Sequence, residues 1–88
     1  MNNATITGVI TNLWNLSEGV YLGRIHSLED DNYYYLFWDS NNFSNMELIN
    51  KYIVARGKLE YIKVRKEKDS DVRRILAINV GGMEMYDF

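Results

Sequence analysis

An aromatic segment at residues 33–38 and a basic segment at residues 58–74 carry most of the chemistry that this sequence suggests. The first reads Tyr-Tyr-Tyr-Leu-Phe-Trp, and the second holds seven basic and four acidic side chains. Aromatic rings stack on unpaired bases, and lysine and arginine side chains neutralise phosphates. The two segments together predict a surface that binds a single-stranded polyanion.

Catalysis has much weaker support in the sequence. The chain has one histidine, His26, and no cysteine, which excludes thiolate or multi-histidine zinc sites and disfavours a nucleophile–base pair. The acidic residues 29–31 lack the spaced oxygen ligands of a calcium loop. Nothing in the spacing favours Asp39 and Glu60 as the carboxylate pair of a glycan hydrolase. We therefore expect no enzyme activity, no cofactor and no metal.

The charge of the chain is polarised. The net charge is −2, which argues against general affinity for polyanions. The basic segment nevertheless has a net charge of +3, and the rest of the chain has −5. A solvated hairpin tip and a phosphate-binding hairpin are both compatible with such a segment. Its basic residues are Lys58, Lys63, Arg65, Lys66, Lys68, Arg73 and Arg74.

Five runs alternate with period two or are rich in β-branched and aromatic residues, which is typical of strands. A short helix over Asn45–Lys51 is predicted by the capping box of Ser44 and Glu47. The order of these elements, three strands, one helix and two strands, predicts an all-β, five-stranded Greek-key barrel of the OB-fold type with one helix between strands 3 and 4. The length predicts a single domain over residues 1–88. The runs lie near Ala4–Leu13, Gly19–Ser27, Tyr33–Asp39, Tyr52–Lys63 and Arg74–Tyr86.

Alternation divides the aromatic strand into two faces. Tyr33, Tyr35 and Phe37 share one face, and Tyr34, Leu36 and Trp38 share the other. Only one face can contact a single core, so the other needs a ligand or a partner chain. The inward face of the second strand also stays open. Interior glycines at Gly8 and Gly57 predict bulges or sharp bends in a strongly coiled sheet.

Motifs along nearly the whole chain resemble the single-stranded DNA-binding protein family, including its tail-less primosomal relatives. The first resembles that family's first-strand pattern of apolar residue, any residue, glycine, any residue, apolar residue. The others resemble the end of its third strand, its short helix, its fourth strand and its closing strand. These motifs are Ile6–Ile10, Phe37–Asp39, Glu47–Lys51, Ile53–Leu59 and Ala77–Asp87.

The resemblance implies which residues contact nucleic acid. It places Tyr34, Leu36 and Trp38 on the DNA face, and Tyr35 and Phe37 in the core. It also makes the loop between strands 4 and 5 a flap whose cations contact phosphates, namely Lys63, Arg65, Lys66, Arg73 and Arg74. Beyond the resemblance, we expect Trp14 and Tyr61 to supply further rings and Lys68 a further cation.

The predicted function is single-stranded nucleic-acid binding, DNA before RNA, in the replication or maintenance of a phage, plasmid or mobile element. The resemblance implies other replication proteins as partners, although the family's long linker with an acidic tip has no counterpart here. We also expect a homo-oligomer, a dimer before other states, and a cytoplasmic location without a signal peptide or membrane segment. The alternative function is an interaction module whose aromatic strand forms a protein–protein interface.

Overall fold

The described part of the chain is built entirely from strands and turns. The computed structural model describes residues 2–39, 48–65 and 72–86. Across these residues, no helix has the length and apolar character needed to span a bilayer. The strands are β1 (Asn3–Ser17), β2 (Val20–Ser27), β3 (Tyr33–Asp39), β4 (Tyr52–Arg65) and β5 (Val72–Tyr86).

The five strands form one sheet that closes on itself. Their order is β1-β2-β3-β5-β4, and β4 pairs with β1 to complete the ring. All neighbours are antiparallel except β3 and β5, which are parallel at residues 35–37 and 77–79. The prediction of an all-β chain with five strands is confirmed.

Alternate residues of every strand fill the inside of the closed sheet. In β1, Ile10 is fully buried, and Ala4 and Ile6 pack against the core, as the period-two pattern predicted. In β2, Ile25 and Tyr21 face the core, which settles the orientation that the sequence left open. The buried core consists of Ile10, Ile25, Leu36, Trp38, Leu48, Ile53, Ala55, Ile78 and Val80.

The glycines inside the strands allow close approach of backbones. A Cβ on Gly8 would collide with the carbonyl of His26, and one on Gly57 with the carbonyl of Asn79. Beside Gly57 the β4–β5 register skips one residue, so that Gly81 is the extra residue of a bulge. The prediction that an interior glycine marks a bulge is therefore confirmed at Gly57.

The short helix is not found in the described residues. The segment 48–51 is a turn: the N–H of Lys51 donates to the carbonyl of Leu48 (3.1 Å), and Asn50 has a positive φ of 68°. The N–H of Asn50 donates to the carbonyl of Ile10 (2.8 Å), and Ile49 forms a parallel bridge with the same residue. These backbone groups pair with β1 and not along a helix. The predicted capping box at residues 44 and 47 lies outside the described residues.

The β4–β5 hairpin extends beyond the closed sheet. β4 pairs with β1 up to Lys58, the N–H of Leu59 donates to the carbonyl of Asn2 (2.8 Å), and β3 pairs with β5 only at residues 77–79. Residues 61–65 and 72–76 therefore pair only with each other. Leu76 shares the inward face of β5 with Ile78, yet it is 47% exposed because the core ends before it.

Candidate nucleic-acid interface

The aromatic strand β3 has the opposite orientation to the predicted one. Leu36 and Trp38 are buried in the core, and Tyr34 packs against it. Tyr33 and Tyr35 are on the other face of β3, toward the outside of the sheet. The expectation that Tyr34, Leu36 and Trp38 form the exposed face is therefore wrong, and so is the expectation that Tyr35 and Phe37 are core residues.

Pairing with β2 explains this orientation. Trp38 is paired with Tyr21, whose ring lies stacked 6.3 Å away, and Leu36 is paired with Gly23. A Cβ on Gly23 would lie only 3.1 Å from two atoms of the Trp38 ring. A glycine at this position leaves room for the indole inside the closed sheet. The other face of β2 carries Arg24 and His26, whose charge and polarity suit solvent.

Arg24, Tyr33 and His26 form a stacked group on the outer face of β2 and β3. The guanidinium carbon of Arg24 lies 4.6 Å from the centre of the Tyr33 ring, and the His26 ring is stacked on Tyr33 at 4.8 Å. The Nε–H of Arg24 donates to the Thr11 hydroxyl oxygen (3.3 Å), which helps to hold the guanidinium. None of these three residues was among the site residues predicted from the sequence.

A groove of about 660 Å³ opens where the β1–β2 and β4–β5 hairpins approach each other. Leu22 forms part of its floor, and the side chain of Tyr35 reaches it from β3. Most of the lining is apolar or aromatic, and two arginines come from the β4–β5 hairpin. The groove is lined by Leu13, Trp14, Asn15, Leu16, Leu22, Tyr35, Val64, Arg65, Arg73 and Ile75.

Two aromatic rings and two cations make this groove suitable for a nucleotide. Trp14 is 42% exposed, and its ring centre lies 6.4 Å from that of Tyr35 with 42° between the ring planes. Exposed indole and phenol rings can stack on bases, and guanidinium groups bind phosphate oxygens with paired N–H donors. Of the predicted site residues, the groove brings together Trp14, Arg65 and Arg73.

Three other predicted residues lie on the opposite face of the β4–β5 hairpin. Tyr61 and Lys63 alternate with Ile62 and Val64, and only Val64 of these four lines the groove. Arg74 is paired with Lys63, and its guanidinium carbon lies 4.3 Å from the centre of the Tyr61 ring. The predicted cations Lys66 and Lys68 lie outside the described residues.

The turn between β2 and β3 has the opposite charge to the groove. Tyr34 donates its hydroxyl hydrogen to Asp30, which lowers the pKa of that carboxyl group and raises the pKa of the tyrosine. Asp31 accepts from the imidazole of His26 at 2.5 Å. This acidic turn follows Ser27, which is five residues along β2 from Leu22, the partner of Trp14, and thus roughly 17 Å away. Electrostatics therefore favour phosphates at the groove end of the outer face.

A second depression, of about 650 Å³, lies over β1, β4 and β5 beside the Gly81 bulge. It has cations in Arg56 and Lys58, but no aromatic residue lines it. Arg56 donates to Glu84 (3.0 Å), and this partner offsets its charge. The depression therefore lacks the stacking surface that the groove provides.

Tyr35 lines the groove, although the resemblance to the single-stranded DNA-binding protein family predicted it to be a core residue. Its position follows from the pairing of β3 with β2, in which Tyr35 is opposite Arg24 and Leu36 is opposite Gly23. The signal in the sequence was the contrast in β2 between Gly23 and the polar residues Arg24 and His26. This contrast indicates the inward face of β3 only when the register between β2 and β3 is known, and periodicity within one strand does not provide that register.

No protein-family model matches this sequence, and no curated protein matches it significantly. The function must therefore be inferred from the residues of the groove and its surroundings.

Proposed function

We propose that this chain is an OB-fold protein that binds single-stranded nucleic acid in the groove between its β1–β2 and β4–β5 hairpins. The closed order β1-β2-β3-β5-β4, with β3 parallel to β5, supports the OB-fold assignment. OB-folds bind oligonucleotides on the face of strands 2 and 3, between the loops that follow strands 1 and 4. The groove lies in that region, between the two hairpins that carry those loops.

The observation that carries the proposal is the combination of Trp14 and Tyr35 with Arg65 and Arg73 in one groove. A base would stack on Trp14 or Tyr35, and each such contact contributes about 1–3 kcal/mol. The two guanidinium groups would bind the phosphates on either side of it. Stacking does not distinguish among bases, so the proposed binding tolerates many sequences.

The bound nucleic-acid strand would continue from the groove along the outer face of β2 and β3. Arg24 and Tyr33 offer a further cation and ring, with Tyr33 54% exposed. The carboxylates of Asp30 and Asp31 mark the end of this surface, since they repel phosphates. Trp38 and Leu36 do not contact the ligand in this proposal. They belong to the core that supports the strand of Tyr35.

DNA is the preferred ligand of this proposal, and RNA satisfies the same stacking and phosphate contacts. A role in the replication or maintenance of a phage, plasmid or mobile element stays a prediction, as do homodimerisation and contacts with replication proteins. The alternative, an interaction module that uses the aromatic strand, loses its largest predicted contact residue because Trp38 is only 1% exposed.

The test is a binding titration of fluorescein-labelled oligo-dT of about 30 nucleotides, followed by anisotropy. We expect Trp14→Ala and Tyr35→Ala each to weaken binding by about 1–3 kcal/mol. Arg73→Ala should make the negative slope of log K against log salt concentration shallower by about 0.7, the value for one phosphate contact with a single strand.

Tyr86→Ala is the matched control, because Tyr86 is a similarly exposed aromatic residue that pairs with Tyr52 away from the groove. It should bind like the unmodified protein. Absence of binding at low salt by the folded protein would rule out the proposed function. Equal affinity of all three aromatic variants would rule out the groove as the site.

A further inference from the structure

The hairpin face that points away from the groove is a second surface with aromatic and basic character. Three cross-strand pairs make up this surface, which we call the back face, and all six side chains are exposed. The pairs are Tyr61 with Leu76, Lys63 with Arg74, and Arg65 with Val72.

The charge of the hairpin is concentrated on the back face. Lys63, Arg65 and Arg74 belong to it, and none of the described residues on this face is acidic. The groove side of the same hairpin has Arg73, and Glu60 lies further along that side. A face with three cations and no carboxylate among its described residues is complementary to a polyanion.

The back face also offers a ring. Tyr61 is 62% exposed, and the guanidinium of Arg74 is stacked over it at 4.3 Å. Cation and ring are thus already held together, which lowers the ordering cost of binding a nucleotide. Two exposed apolar side chains of the hairpin, Leu76 and Val72, lie on the same face as this pair. Apolar and aromatic side chains beside cations can contact the bases and the phosphates of the same ligand.

Arg65 connects the back face to the groove. By alternation it belongs to the back face, and as the last residue of β4 it also lines the groove. A phosphate bound at Arg65 is therefore within reach of both surfaces. We infer that one nucleic-acid strand occupies the groove, passes Arg65 and continues on the back face, where Lys63 and Arg74 bind phosphates and Tyr61 stacks on a base.

This inference rests on the proposed function and extends it from one surface of the hairpin to two. It predicts that oligonucleotide length determines which residues matter. A short strand fills the groove alone, and a longer strand reaches Tyr61. A single OB-fold covers about 4–16 nucleotides. A length of about 6 nucleotides lies near the lower end of this range, and a length of about 20 lies beyond its upper end.

The experiment measures the affinity of the full chain for oligo-dT of these two lengths at several salt concentrations. We expect Tyr61→Ala to weaken binding of the long oligonucleotide at least about five-fold and to leave the short one unchanged. The double variant Lys63→Ala/Arg74→Ala should make the negative salt slope shallower by about 1.4 for the long oligonucleotide only. Lys58→Ala and Tyr86→Ala serve as matched controls on other surfaces and should change neither affinity.

The outcomes separate the inference from the function on which it rests. If Trp14→Ala weakens both lengths while Tyr61→Ala weakens neither, the groove is the site and the back face is not. If Tyr61→Ala weakens both lengths equally, the two surfaces are not successive parts of one path and the inference is wrong. If the unmodified protein binds neither length, the proposed function fails, and the inference fails with it.

Discussion

The two tryptophans of this chain lie in opposite environments, and this difference assigns them different roles. Trp38 is 1% exposed inside the closed sheet, and Trp14 lies at the edge of the groove. Burial of a large aromatic ring stabilises the fold, and an exposed ring is available to a ligand. We therefore expect substitutions at these positions to separate stability from binding.

Trp38→Ala should lower the free energy of unfolding by about 3–5 kcal/mol, because it removes a buried ring and leaves a cavity. Trp14→Ala should change it by only about 0.5 kcal/mol, as is usual for exposed positions. Urea unfolding followed by circular dichroism measures both values. Equal losses of stability in the two variants would contradict the assigned orientation of β3.

The hydrogen bond between Tyr34 and Asp30 predicts a pH-dependent contribution to stability. Because Tyr34 lowers the pKa of Asp30 below its ordinary value of 3.8 in the folded state, this contribution is complete above that value. It is lost as the pH falls through the folded-state pKa. We expect Tyr34→Phe, which removes the donor, to make the unfolding free energy less dependent on pH between pH 6 and acid.

Urea unfolding of the unmodified protein and of Tyr34→Phe, each at pH 6 and at an acid pH, provides the comparison. Asp30→Asn should have the same flattening effect, because it removes the titrating group. An identical loss of stability toward acid in the unmodified protein and in Tyr34→Phe would show that this hydrogen bond makes no contribution.

The glycines of β4 and β5 differ in what surrounds them. At Gly57 a Cβ would collide with the backbone of Asn79, whereas at Gly82 it would meet nothing within 4 Å. Gly57→Ala should therefore destabilise the fold by about 3 kcal/mol or more. Gly82→Ala should be neutral or stabilise it by up to about 1 kcal/mol, since it reduces the entropy of the unfolded chain.

Thermal unfolding of the two alanine variants, each compared with the unmodified protein, tests this contrast. The same substitution on neighbouring strands makes Gly82→Ala a close control for Gly57→Ala. A small effect at Gly57 would mean that β4 and β5 do not approach each other as closely as the structure indicates.

At the level of elements, the strands were predictable and their relative orientation was not. Alternation and β-branched residues indicated all five strands, because these patterns are local. The side of β3 that faces inward depends on its register with Gly23 and Tyr21 of β2, which is not a local property. The turn at residues 48–51 resembled a helix end in sequence, but its backbone groups pair with Ile10 of β1.

The candidate site was predictable in composition more than in geometry. Trp14, Arg65 and Arg73 were expected and do meet in one groove. Tyr61 and Arg74 were also expected, yet they lie on the back face, since a hairpin has two sides and a cluster in sequence does not distinguish them. The length of the free hairpin depends on where β1 and β3 stop pairing, which no single segment reveals.

For the whole molecule, the low net charge together with the exposed rings predicts a preference for single strands over duplexes. The net charge of −2 gives little general attraction to a duplex. The rings of Trp14 and Tyr35 need unpaired bases to stack on, and a duplex does not offer them. We expect an unlabelled 30-mer single strand to displace bound labelled oligo-dT at a concentration at least about ten-fold lower than a 30-base-pair duplex. Competition at equal potency would indicate binding to phosphates alone.

The most direct test of the central claim is a tryptophan-fluorescence titration with unlabelled oligo-dT of about 30 nucleotides, at low and high salt, on the unmodified protein and Trp14→Phe. We expect quenching that saturates and weakens with salt in the unmodified protein. In Trp14→Phe the emission of buried Trp38 should persist without quenching. Absence of quenching at low salt, or equal quenching in both proteins, would contradict stacking of a base on Trp14 in the groove.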